Sequence, residues 1–140
     1  MMPAHAKRAM LDASVALSWV IPDEGGAEGV MLRDLAVKES TVLLCPPAFW
    51  FEVANVLWAA VRRERLDVED ALQALSSLED FGIVVTDVAA GACLALSSNT
   101  GLAAYDTAYL VAALADEVPL WTFDRRMRET GEALGLTVAP

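Results

Sequence analysis

Of the twenty acidic residues in this 140-residue chain, four stand where an apolar core would otherwise be expected. Asp12 lies in AMLDASVAL, Glu52 in PPAFWFEVANVLW, Asp106 in AAYDTAYLVAAL and Asp124 in PLWTFDRRM. An ionised carboxylate left unpaired in an apolar interior is costly, so each of these needs a partner, a metal or a route to water. If they converge in one crevice they repel one another, and some must take up protons unless cations intervene. Mg²⁺ or Mn²⁺ answers that need: hard cations prefer oxygen ligands, and Mg²⁺ keeps several waters while taking one or two carboxylates directly. The single histidine, His5, and the two cysteines, Cys45 and Cys93, do not have zinc-ligand spacing. A cap is the alternative for any one acid, and Asp124 ahead of RRMRETGEAL would make a good one.

The elements around these acids can be read from the pattern. RAMLDA, TVLLCP, GIVVTD, PLWTF and GLTVA are short apolar runs with turn punctuation, which predict five buried strands. Segments of helical spacing lie between them, at 24–39, 47–64, 68–80, 88–98, 105–117 and 125–134, with a turn of helix after the first strand. Pro46 and Pro47 end the second strand and open a helix. Asp67 and Asp87 read as N-caps. Strands alternating with helices predict an α/β fold, a parallel sheet covered on both faces. In such a sheet strand C-termini and helix N-termini share one edge, which is where ligands bind. Asp12 follows the first strand, Glu52 lies in the first turns of the helix after the second, Asp106 opens a helix and Asp124 ends the PLWTF strand. All four therefore reach one edge, and the helix N-termini at Asp106 and Asp124 should favour their ionised forms.

Composition bounds the rest. One domain spanning 1–140 is expected, with residues 1–7 as a flexible tail carrying an exposed His5. With 56% hydrophobic and 21% charged residues the chain is too apolar to be disordered. The surplus crowds around Phe49, Trp50, Phe51, Val56 and Trp58, which points to an interface as well as a core. Two cysteines suit buried thiols in a reducing cytoplasm rather than a disulfide framework. AHAKRAMLDASVALSWVIP imitates a secretory leader, but Asp12 interrupts it and no small-x-small site follows. No stretch has the length and uninterrupted apolarity of a membrane span. The net charge of −10 weighs against a polyanionic partner, although the arginines are clustered: Arg62, Arg63 and Arg65 at one helix end, and Arg125, Arg126 and Arg128 just after Asp124. Arg63, eleven positions from Glu52, should fall near its face, about 16 Å along the axis. Trp19, Trp50, Trp58 and Trp121 could stack on bases, but packing is the simpler role for each.

Taken in order, LDASVALSW, PPAFWFEVANVL with its Glu-x-x-Asn, AAYDTAYLVAAL, PLWTFDRRM and LGLTV resemble the PIN-domain ribonucleases, specifically the VapC-type toxins of bacterial toxin–antitoxin pairs. The resemblance spans residues 10 to 138. It implies a PIN-like α/β/α sandwich with a five-stranded parallel sheet, Mg²⁺ or Mn²⁺ dependence, endoribonuclease activity leaving 5′-phosphate and 3′-hydroxyl ends, a cognate VapB-like antitoxin and a homodimer. Asp12, Glu52, Asp106 and Asp124 match the family's acidic quartet, as catalytic residues and metal ligands. Ser14 and Thr122 match its supporting hydroxyls, and Asn55, three residues after Glu52 and on the same helix face, its polar companion. Arg62, Arg63, Arg125 and Arg126 are candidates for RNA phosphates. TFDRRM supplies one acid where some members carry a second nearby, which leaves open one metal or two. Two rival readings stand beside this one. A non-catalytic PIN-like binding module would not need all four acids. A haloacid-dehalogenase-like Mg²⁺ phosphatase would want a second aspartate two residues after the first, where this chain has Ser14, and a distant lysine for phosphate, whereas its only lysines are Lys7 and Lys38.

Overall fold

The computed structural model describes residues 7–21 and 26–140, so His5, most of the expected tail and the start of the expected 24–39 helix lie outside the described residues. Five parallel strands form one sheet in the order β3-β2-β1-β4-β5. They are β1 (Arg8–Leu11), β2 (Val42–Cys45), β3 (Val84–Val85), β4 (Leu120–Trp121) and β5 (Val138–Ala139). Helices α1 (Ala13–Ser18) and α2 (Gly26–Lys38) link β1 to β2, while α3 (Phe49–Arg62) and α4 (Val68–Glu79) link β2 to β3. Helices α5 (Ala90–Thr100) and α6 (Ala104–Asp116) carry the chain across to β4, and α7 (Arg125–Ala133) leads to β5. Right-handed crossovers in this strand order put α1–α4 on one face and α5–α7 on the other. The packing agrees: α1 meets α2 and α3, α3 meets α4, and α6 meets α5, α7, β1 and β4. The chain thus forms the expected α/β/α sandwich.

Between β1 and β4 the strand order reverses, and Met10 pairs with Leu120 and Leu11 with Trp121 across that line. The crevice beyond the C-terminal ends of two such strands is where open parallel sheets bind ligands. The core converges beneath it: Met10, Leu11, Val15, Phe49, Val53, Tyr109, Leu110, Leu120 and Met127 are buried. Cys45 and Cys93 are buried free thiols, and Cys45 is pushed up to about 12 by burial and by Glu52. Asp67 caps α4 as expected, accepting from the Asp70 amide at 2.7 Å.

Three expectations need correction. Asp87 does not cap α5, whose N-cap is Ala89 with no side-chain bond; Val88 packs against the core and holds the chain extended for two more residues. The third and fifth strands are not buried: Val84 and Val85 are exposed and Val138 and Ala139 only half-buried, because strand order puts both at sheet edges. Arg63 does not continue the α3 helix but is its C-cap, so the helical projection from Glu52 ends at Arg62. Lys7, the last residue of the expected tail, is tied by an ion pair to Glu39 at 2.9 Å and by its carbonyl to the Val42 amide. Among the described residues no helix is long and apolar enough to cross a membrane.

Candidate active site

Asp12 follows β1 directly, and its amide donates to the Trp121 carbonyl at 3.0 Å, which fixes it beside the end of β4. Its side chain is only 5% exposed. Two hydroxyls converge on one carboxylate oxygen, Oδ2: Ser14 Oγ donates at 2.6 Å and Thr122 Oγ1 at 2.8 Å. Each hydroxyl oxygen in turn accepts a backbone N–H from the loop after β4, Ser14 from Phe123 at 3.1 Å and Thr122 from Asp124 at 3.0 Å. These amides can only donate, so both hydroxyl protons must point at Asp12. The relay locks the carboxylate to the β4–α7 loop, and among the described residues no side chain donates to Oδ1. Burial pushes the Asp12 carboxyl above its ordinary range, with Asp124 adding repulsion, while the two hydroxyls act against that rise.

The other acids come in from three helices. Glu52 sits in the first turn of α3 and is pushed up to about 7, first by burial, then by Asp12 and Asp106; a long 3.4 Å bond from the Tyr109 hydroxyl opposes the shift. Asp106, in the first turn of α6, is raised by burial and by Asp124, while the Arg126 guanidinium pulls it down. Asp106, expected to ionise readily at the α6 N-terminus, is instead held above its ordinary range by desolvation and a neighbouring carboxylate. Asp124 is the N-cap of α7, its Oδ1 accepting from the Met127 amide at 2.8 Å. The mutual repulsions close a ring, from Asp12 to Glu52 to Asp106 to Asp124 and back to Asp12.

Among the described residues no three of His, Cys, Asp and Glu converge closely enough to form a ready-made metal cage. The donors are nevertheless all oxygen and mutually repelling, and Asp12, Glu52 and Asp106 are raised in pKa. That set fits a hard dication bound through one or two carboxylates and its own waters, and it does not fit zinc.

The remaining candidates separate. Asn55 lies beside Glu52 in a groove that also touches Trp58 and Tyr105. Arg126 faces Asp106 electrostatically, whereas Arg125 pairs with Glu129 on the surface at 2.9 Å and Arg128 donates to the Thr122 carbonyl at 3.1 Å. Arg62 lies over the Trp58 ring, 5.7 Å from its centroid. Trp121 is buried, and Trp19 stacks on Phe81 and donates to the Gly29 carbonyl, so both are packing residues. Trp50 packs edge-on against the buried Phe49. Two tyrosines were missed from sequence: Tyr109, fully buried with its hydroxyl toward Glu52, and Tyr105 in the groove. Tyr109 is three residues after Asp106, a spacing that puts both on one helix face and could have flagged it.

The parallel α/β sandwich has a counterpart in sequence: residues 9–133 match the PIN domain, and the chain belongs to that family. Ribonucleases of this family generally depend on a divalent metal. Among its relatives is Ribonuclease VapC3 of Pyrobaculum aerophilum, 30% identical over 131 residues that cover 89% of this chain and 95% of the relative. The fold is shared with PAE2754 from Pyrobaculum aerophilum, at a TM-score of 0.74 and 22% identity over 97% of this chain and 92% of the other. It is also shared with VapBC2 from Rickettsia felis, solved bound to a promoter DNA fragment, at 0.61 and 14% identity over 94% and 96% of the two chains. A toxin–antitoxin complex from Klebsiella pneumoniae matches at 0.58 and 15% identity over 83% and 86%.

Proposed function

We propose that this chain is a Mg²⁺- or Mn²⁺-dependent endoribonuclease and the toxin of a VapBC-like toxin–antitoxin pair, a single PIN domain that works as a homodimer. The observation that carries the reading is the ring of four carboxylates at the β1/β4 crevice, with Asp12 held at one oxygen by Ser14 and Thr122. Relatedness to a ribonuclease and a fold shared with toxin–antitoxin complexes support the activity and an antitoxin partner. Asp12 and Asp106 are the principal ligands for the ion, with Glu52 and Asp124 acting directly or through water. When bound, the ion would supply Lewis acidity, making it easier for a water to lose a proton and become nucleophilic, and would offset charge that develops on the phosphoryl oxygens.

This chain's own residues do the rest. Ser14 and Thr122 keep Asp12 oriented with Oδ1 facing away from both hydroxyls. Glu52, in the first turn of α3 and touched by Tyr109, could accept a proton drawn from the attacking water. Asp124 fixes the start of α7, and with it Arg126, whose guanidinium can meet a phosphate entering beside Asp106. Arg62 and Arg63 at the far end of α3, and Arg125 beside Arg126, are candidates for flanking phosphates.

The test is cleavage of a panel of single-stranded and transfer RNAs by purified protein in Mg²⁺, in Mn²⁺ and in EDTA, with Asp12→Asn alongside. Cutting that needs the metal and falls at least a thousandfold in a folded Asp12→Asn variant is the expected result. Retained cutting in that variant would refute the assignment.

A further inference from the structure

Helix α3 buries Phe49, Val53, Leu57 and Ala60 on one face, and the opposite face carries Phe51, Asn55, Trp58 and Arg62 at three- and four-residue spacing. That outer face forms one side of an open groove of about 740 Å³, with Tyr105 at the start of α6 contributing to the lining. Three of its rings stand in solvent: Phe51 is 79% exposed, Tyr105 66% and Trp58 54%. The groove is continuous with the acidic ring, because Glu52 lines both.

We propose that this groove is a stacking platform for unpaired nucleobases of a single-stranded RNA, next to the phosphodiester addressed by the acidic ring; the proposal rests on the ribonuclease reading. Trp58 is six residues beyond Glu52, about 9 Å along the helix axis. Aromatic faces receive any base, and an amide such as that of Asn55 can both donate to and accept from a base edge. The guanidinium of Arg62 over the Trp58 ring places a positive charge at the far end of the groove for the adjoining phosphate. Charge points the same way. A chain of net charge −10 has little basic surface for a polyanion, so affinity must come largely from base contact, and its salt dependence should be shallow.

The probe is a fluorescently labelled single-stranded RNA of mixed sequence, bound to the Asp12→Asn protein with Mg²⁺ present and followed by anisotropy, with a fully paired duplex and an RNA carrying abasic sites as comparisons. Trp58→Ala and Tyr105→Ala should each weaken single-strand binding about tenfold, with Trp58→Phe and Tyr105→Phe restoring most of it, and should change duplex or abasic binding less than twofold. In otherwise wild-type protein the same alanine variants should raise KM about tenfold and alter kcat less than threefold. Unchanged single-strand binding and KM in both alanine variants overturn the platform while leaving the nuclease intact. Failure of wild-type protein to cut any RNA overturns the ribonuclease reading instead, whatever the binding shows. If Trp58→Ala leaves RNA binding intact but weakens the protein encoded beside this chain tenfold or more, the groove is a protein-docking surface and the proposal is overturned.

Discussion

Replacing Glu52 by glutamine should stabilise the metal-free protein, even though Glu52 belongs to the proposed catalytic ring. Its carboxyl moves from an ordinary 4.5 to about 7 on folding, and a group raised in this way favours the folded state least when it must ionise. The penalty is absent below about pH 4.5, grows as pH rises towards 7 and is complete above that. A shift of this size corresponds to about 3 kcal/mol at 1.36 kcal/mol per unit. Glu52 is half-buried, and solvent screening leaves about 1–2 kcal/mol of it. The amide oxygen of glutamine can still accept from Tyr109, so the variant removes the charge and keeps that bond. Thermal unfolding in EDTA should show Glu52→Gln melting about 3–8 °C above wild type at pH 8, with the gap nearly closed at pH 5. Adding Mg²⁺ at pH 8 should raise the wild type more than the variant, because the ion relieves the same repulsion. A Glu52→Gln protein that melts lower than wild type at pH 8, or a gap that does not depend on pH, would refute the reasoning.

Two further outcomes follow from geometry. Thr122→Val removes one of the two hydroxyls that donate to Asp12 and the acceptor of the Asp124 amide; Mn²⁺ affinity measured by calorimetry should fall about tenfold or more, as is usual when support behind a ligand is lost. Gly29→Leu should destabilise the protein by about 1–3 kcal/mol in chemical denaturation, because even a Cβ at this position would meet Ser18 on α1, and α1 and α2 would have to separate.

Much of the site could be read from the chain because its acids break apolar runs, and a buried charge is the anomaly that periodicity exposes most clearly. The positions of Asp12, Glu52, Asp106 and Asp124 around one sheet edge follow from alternating strands and helices. Which strands lie at the rim does not follow from that pattern. Strand order makes β3 and β5 the edges, so Val84 and Val85 of GIVVTD, which reads as buried, end up in solvent while Ile83 still packs on the core. Tyr105 is illegible for a related reason, since an aromatic within an apolar helix reads as core even where its ring meets water, while the only signal for Tyr109 is its spacing from Asp106. The crowd of rings around α3 reads as an interface as well as a core, and it divides by helical phase: Phe49 is buried, Trp50 half-buried, and Phe51 and Trp58 lie outside. Asp87 misled because a capping residue in the right place is only permissive, and packing of Val88 decided where α5 begins.

The pairing of β1 with β4 joins residues about 110 positions apart, and the lock on Asp12 depends on it. On a ribosome, where synthesis runs from the N-terminus and contacts close only after both partners have emerged, Asp12 and Glu52 are translated well before Thr122 and Asp124, and Asp106 shortly before them. A nascent chain can therefore assemble β1, β2 and β3 with their helices while its first aspartate lacks the hydroxyl that orients it and the fourth acid of the ring. The order of translation withholds the finished site until nearly the whole domain has been made, a delay measured in residues.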